Sequence, residues 1–196
     1  MTRRVLFVSP AMNASLRQAR FDDGAALDAS GRDAARAAAG ALVTGAGAPA
    51  VTSGSRRCRE TAEALGLDAS AAPDGLAAQD MGRWRGRTLA EVTGAEPLDV
   101  ARWLDDPEFA PGGGESVAGV CARVARWLDA LADDAQVVAV VEPEVVRAAV
   151  VHALGAPVSA FWRCDVAPLT ATGLSGRGAR WNVRLGGPLS PADPSD

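Results

Sequence analysis

The stretch VVAVVEPEVVRAAVVHALG, residues 137–155, decides the fold class. Val137–Val141 is a run of five apolar residues, four of them β-branched. It is short for a helix and reads as a strand buried on both faces. Pro143 follows at the first turn of a helix, where its fixed φ suits the turn and its missing N–H leaves no bond unmade. The helix runs to Leu154, and Gly155 supplies the left-handed stop. A buried strand feeding a helix is half of a βα unit, the building block of a largely parallel sheet.

Working outward, Val5–Val8 (VLFV) is a second buried strand, ended by Ser9-Pro10. Residues 28–42 read as an Ala-rich helix, 49–52 as a short strand, and 55–65 as a helix stopped by Gly66. Residues 67–87 read as loop. Thr88–Val92 opens a helix with a capping box, Thr88 followed three residues later by Glu91. Residues 99–105 read as a short helix, and FAPGGGES as a turn. Residues 116–132 form an amphipathic helix with Val117, Val120, Cys121, Val124, Leu128 and Leu131 on one face. Strands are expected over 158–165, 168–174 and 179–185. The fold class is therefore α/β, a three-layer α/β/α sandwich with a mostly parallel sheet. A single domain is expected over 1–187, with a disordered tail over 188–196.

Composition narrows the function classes. The 196 residues include 20 basic side chains, every one an arginine, against 24 acidic ones, for a net charge of −4. That balance gives no general attraction to nucleic acid or anionic lipid. Three cysteines without CxxC spacing fit a reducing, cytoplasmic setting. No apolar run approaches the ~20 residues of a membrane span.

In open α/β sheets, ligands bind beyond the carboxyl ends of the strands. That rule selects Ser9 to Asn13, Glu142-Pro143-Glu144, and Arg56-Arg57. Around these positions the chain resembles the histidine phosphatase superfamily, the phosphoglycerate mutase-like proteins. The likeness is carried by VLFV with RFDDGAALDASGRDAARAAAGAL (20–42), SGSRRCRETAEALG (53–66), DMGRWRGRTLAEV (80–92), PGGGESVAGVCARVARWL (111–128) and VVAVVEPEVVRAAVVHALGAP (137–157). The blocks come in family order. The resemblance implies a cationic cup in which an imidazole attacks a phosphoryl group. In this chain the Arg-His-Gly triplet of the family falls on Ser9, Pro10 and Ala11. The proton-donor Glu falls on Ala78, and the second His on Glu142. Arg57 alone matches the set. His152 lies ten residues beyond Glu142, about 15 Å along the helix axis, too far to replace either imidazole.

The implied ligand-binding residues are Arg57, Glu142, Glu144, Ser9 and Asn13, with no metal and no cofactor. Arg57 either binds a ligand anion or pairs with Glu142. Glu142 and Glu144 are an acid/base pair, a cation site, or acidic residues suited to a helix N-terminus. Ser9 is a turn residue or a nucleophile lacking a base. Cys58 is a structural thiol or one activated by Arg57. Asp22, Asp23, Asp80, Glu115 and Glu142 could converge on a hard cation, though no spacing supports it. Trp84 and Trp103 could line the pocket. Arg83, Arg85 and Arg87 form a solvated face or an anion-binding rim. Three functions stay open: a pseudoenzyme binding a small molecule or a protein, an enzyme using Glu142 on a non-phosphorylated substrate, and a phosphatase working without phosphohistidine. The oligomeric state is open.

Overall fold

The computed structural model of the chain describes residues 2–42 and 48–189. Strands β1 (Arg3–Val8), β2 (Ala50–Thr52), β3 (Ala69–Ala71), β4 (Gln136–Val140), β5 (Thr170–Arg177) and β6 (Arg180–Pro188) form one sheet, ordered β3-β2-β4-β1-β5-β6. β1 is parallel to β4, and β2 is parallel to both β3 and β4. β5 is antiparallel to β1 and β6, so it alone runs against the other five strands. The helices are α1 (Ala14–Arg17), α2 (Ala29–Ala37), α3 (Arg56–Ala64), α4 (Leu89–Ala95), α5 (Pro97–Asp105), α6 (Val117–Asp129) and α7 (Pro143–Leu154).

Period-2 alternation divides the core between the two sheet faces. On β4, Val138 and Val140 pack with Cys58 and Ala62 of α3. Ala139, with Val5 and Phe7 of β1, packs with Val120 and Val124 of α6 and Val145 and Ala149 of α7. Each fully buried valine contributes about 1.5–3 kcal/mol by leaving water. Helices cover both faces, as the apolar runs required.

Local rules fix most helix starts. Asp28, Ser55 and Ser116 accept the N3 amide as N-caps, and Thr88 with Glu91 completes the capping box. Pro143 occupies the first position of α7, and Gly155 ends it at φ 60°. Several boundaries differ from expectation. α2 stops at Ala37 and not at 42. The expected loop over 67–87 contains β3, and two 3₁₀ turns at Asp74–Leu76 and Gly82–Trp84. Residues 158–165 are not a strand: Val158–Arg163 is a 3₁₀ turn. Val158 and Phe161, one 3₁₀ turn apart, both reach the core. The sheet edge beside β1 is already taken by β5. β6 runs through Pro188, and the Leu189 amide bonds Leu169. The rest of the expected tail, 190–196, lies outside the described residues. No described helix is long and apolar enough to cross a membrane.

One glycine positions the wall of the site. Gly82 has φ +52°, and a Cβ there would lie 2.2 Å from the carbonyl oxygen of Gly112. Gly82→Ala combines left-handed strain of about 1–2 kcal/mol with a backbone clash. A loss of at least about 2 kcal/mol is expected in urea denaturation. A loss within about 0.5 kcal/mol would show that this loop shifts freely.

Candidate functional site

A cavity of about 360 Å³ opens beyond the carboxyl ends of the parallel strands. Its walls come from the segment after β1 (Asn13, Ser15, Leu16, Arg20, Phe21, Asp22), from Ala78–Met81, and from the starts of α3 and α7 (Arg57, Glu142, Glu144). Trp103, Trp162, Arg85 and Arg147 complete it.

At its base, Glu142 is 3% exposed and Arg57 is buried beside it. Arg57 Nη2 donates to Glu142 Oε2, and Ser55 Oγ donates to Oε1 at 2.7 Å. The Cys58 thiol approaches the same Oε1 at 3.5 Å. Ser55 also accepts the Cys58 amide as the α3 N-cap, so one hydroxyl ties the starts of α3 and α7 together. Glu142 is itself the N-cap residue of α7 but makes no side-chain cap bond. Its carboxylate is turned to the guanidinium instead. Burial works against the Arg57 charge, but the Glu142 carboxylate outweighs it and holds the guanidinium above its ordinary pKa. Burial and the same carboxylate push the Cys58 thiol well up, so it is a poor nucleophile.

Glu144 stands one helical step further, and the Gln79 amide donates to its Oε1 at 3.2 Å. Burial, then the nearby Glu142 charge, raises its carboxyl to about 6. Ionisation of Glu144 is therefore harder in the folded chain than in the unfolded one. The folded state carries no penalty from this group below about pH 4.5 and the whole penalty above about pH 6. Glu144→Gln can still accept the Gln79 amide. It is expected to raise stability at pH 7.5 by on the order of 1–2 kcal/mol and to change nothing near pH 4. Equal effects at both pH values in thermal melts would contradict the assignment.

The remaining residues singled out in the sequence divide into two groups. Asn13 lines the cavity, but its side chain caps α1 through the Leu16 amide at 2.9 Å and donates to the Ala25 carbonyl. Ala78 lies in the wall. Ser9, Pro10 and Ala11 are buried and are not part of the wall. The Ser9 hydroxyl donates to Ala167 O at 2.6 Å and accepts the Thr170 amide at 3.0 Å. The Ala11 amide is held by Thr61. His152 faces Asp129 at 3.0 Å, away from the cavity. Among the described residues no group of three potential ligands could hold a metal.

Trp84 is core, with its indole N–H on Glu96 at 3.0 Å. That bond, then Arg83 and Arg87, holds the Glu96 carboxyl down at about 2. Arg85 lies 3.8 Å from Asp22. The three alternating arginines thus face carboxylates of this chain. Trp162 and Arg147 were not singled out as site residues. Trp162 was missed because its segment read as strand, and Arg147 because one arginine on a helix carries no signal of its own.

A family model described as histidine phosphatase superfamily (branch 1) matches residues 11–187. Over 98 residues the chain is 41% identical to a bifunctional protein of Mycobacterium tuberculosis, a match covering 47% of this chain and 27% of that protein. The chain thus spans about a quarter of that relative's length. Over 142 residues it is 35% identical to a glucosyl-3-phosphoglycerate phosphatase of Mycolicibacterium vanbaalenii, covering 65% of this chain and 63% of that one. The structure of a mycobacterial glucosyl-3-phosphoglycerate phosphatase superposes with a TM-score of 0.78 at 26% identity, over 94% of this chain and 98% of the other. Its sheet, its ordered blocks and the family model together place this chain in the histidine phosphatase superfamily.

Proposed function

We propose that this chain uses the superfamily fold to bind a small molecule and does not transfer phosphate through a phosphohistidine. The observation that carries this reading is the buried Arg57–Glu142 pair. The Glu142 carboxylate accepts from Arg57 and Ser55 as a phosphoryl oxygen would, so an internal anion takes the place of an incoming one. On the family resemblance, the two imidazole positions fall on Pro10, which has no lone pair to attack with and lies behind the cavity wall, and on Glu142, which repels phosphate. A cytoplasmic location accords with the three free cysteines.

The test is a phosphatase assay on p-nitrophenyl phosphate and on glucosyl-3-phosphoglycerate, the latter taken from the relatives' activity. No turnover is expected. Turnover that survives repurification and disappears in Arg57→Ala would overturn the reading.

A second reading is favoured by one observation. Glu144, its carboxyl raised to about 6, is suited to acid/base work near neutral pH on a non-phosphorylated substrate. Both oxygens of Glu142 already hold donors, so this role passes from Glu142 to Glu144. Any activity found should follow a pKa near 6 and fall at least about 100-fold in Glu144→Gln. An unchanged rate in that variant removes the idea.

A further inference from the structure

Three of the cavity's four arginines are hydrogen-bonded within the chain, while the fourth, Arg85, lies 3.8 Å from Asp22. Arg57 is held by Glu142, and Arg20 donates to the Gly86 carbonyl and to Gln18. Arg147 donates to the Cys164 carbonyl at 2.8 Å, with its guanidinium 5.5 Å from the Trp162 ring centre. The acceptors are less occupied. Glu144 receives one amide, from Gln79, and Asp80 one, from Gly82. Ionised Glu144 is opposed by burial and by Glu142, so a cation placed against it would relieve that opposition.

Part of the same cavity's wall is aromatic. Trp103 packs edge-on against Trp162 at 4.7 Å and against Phe21 at 5.7 Å. Ring faces attract cations, and the guanidinium beside Trp162 shows this wall already carrying one. A carboxylate with spare acceptor capacity, facing a cavity walled by tryptophan, recognises a compact group that is both cationic and apolar.

We infer that the cavity binds a small organic ammonium compound, with its ammonium group on Glu144 and its apolar part against Trp103 and Trp162. The inference rests on the reading that this cavity binds without transferring phosphate. It specifies the charge of the ligand, opposite to that of a phosphate ester.

The test uses the full chain at pH 7.5 in isothermal calorimetry, with three probes of one shape: n-butylammonium, n-butanol and butyrate. Butylammonium is expected to bind at least 10-fold more tightly than either of the others. Glu144→Gln should weaken butylammonium at least 5-fold and leave butanol unchanged, with the melting temperature no lower than that of the parent chain. Butyrate or butanol binding as tightly as butylammonium would overturn the inference. So would an unchanged butylammonium affinity in Glu144→Gln, or binding of none of the three. Phosphatase turnover in the parallel assay would overturn the functional reading instead, whatever the amine result.

Discussion

Glu142→Ala is expected to destabilise the protein by about 3–5 kcal/mol, because it leaves Arg57 buried without a counter-charge. For a chain of this length that is a drop of roughly 10 °C in Tm. The Ser55 hydroxyl loses its acceptor at the same time. The hole left is the size of a carboxylate, with a guanidinium and a hydroxyl pointing into it. Inorganic phosphate presents the same anionic acceptor oxygens to that guanidinium and hydroxyl, so it should partly rescue the variant. Stabilisation grows as RT ln(1 + [L]/Kd), about 1 kcal/mol once phosphate exceeds its Kd five-fold. The parent chain should show no such response, since its own carboxylate fills the place. Thermal melts with and without 10 mM phosphate check both halves. A parent chain stabilised as much as the variant would refute the internal-anion assignment. A loss below about 1 kcal/mol would show that the pair is not desolvated.

Trp84→Ala is expected to cost about 3–5 kcal/mol, the range for deleting a large buried aromatic side chain. Trp84 is fully buried, and its ring meets Phe21 at 5.5 Å and Trp103 at 5.7 Å. Both of those residues line the cavity. The substitution therefore removes core and the backing of the aromatic wall together. It also takes the indole N–H from Glu96, whose carboxyl should rise from about 2, though Arg83 and Arg87 remain as partners. Denaturant unfolding gives the stability loss. A carboxyl titration followed by NMR gives the second effect. Trp84→Phe keeps an aromatic ring in place and loses the hydrogen bond and part of the ring volume, so it should fall by less than Trp84→Ala, about 1–3 kcal/mol. Equal losses in the two variants would place the energy in the hydrogen bond and not in the wall.

Much of the fold was legible because local rules and burial agree along this chain. The apolar run before Glu142 has one solution, a central strand, and Pro143 and Gly155 bound the helix after it on both sides. Thr88 and Glu91 announced their capping box by spacing alone. Legibility failed where chain segments lacked a decisive period. Val158–Arg163 holds apolar residues that suit a strand or a tight turn, and only their packing against the core, with Phe161 buried and Val158 beside it, distinguishes the two. β3 is three residues long with little burial, so it exists through pairing with β2 and carries no pattern of its own.

For the site, the chain by itself determined which side chains stand at the strand ends, because βα connections place them there whatever the loops do. It left the role of Arg57 open between a ligand and Glu142. Tertiary structure decided that question, since the two residues are 85 positions apart and only sheet order brings the starts of α3 and α7 together. It also decided that Ser9 bonds to the segment before β5 and that Trp162 reaches the cavity. Sequence spacing specifies neighbours along one element. Contacts between elements depend on how the sheet is ordered and how its faces are covered, which no local pattern encodes.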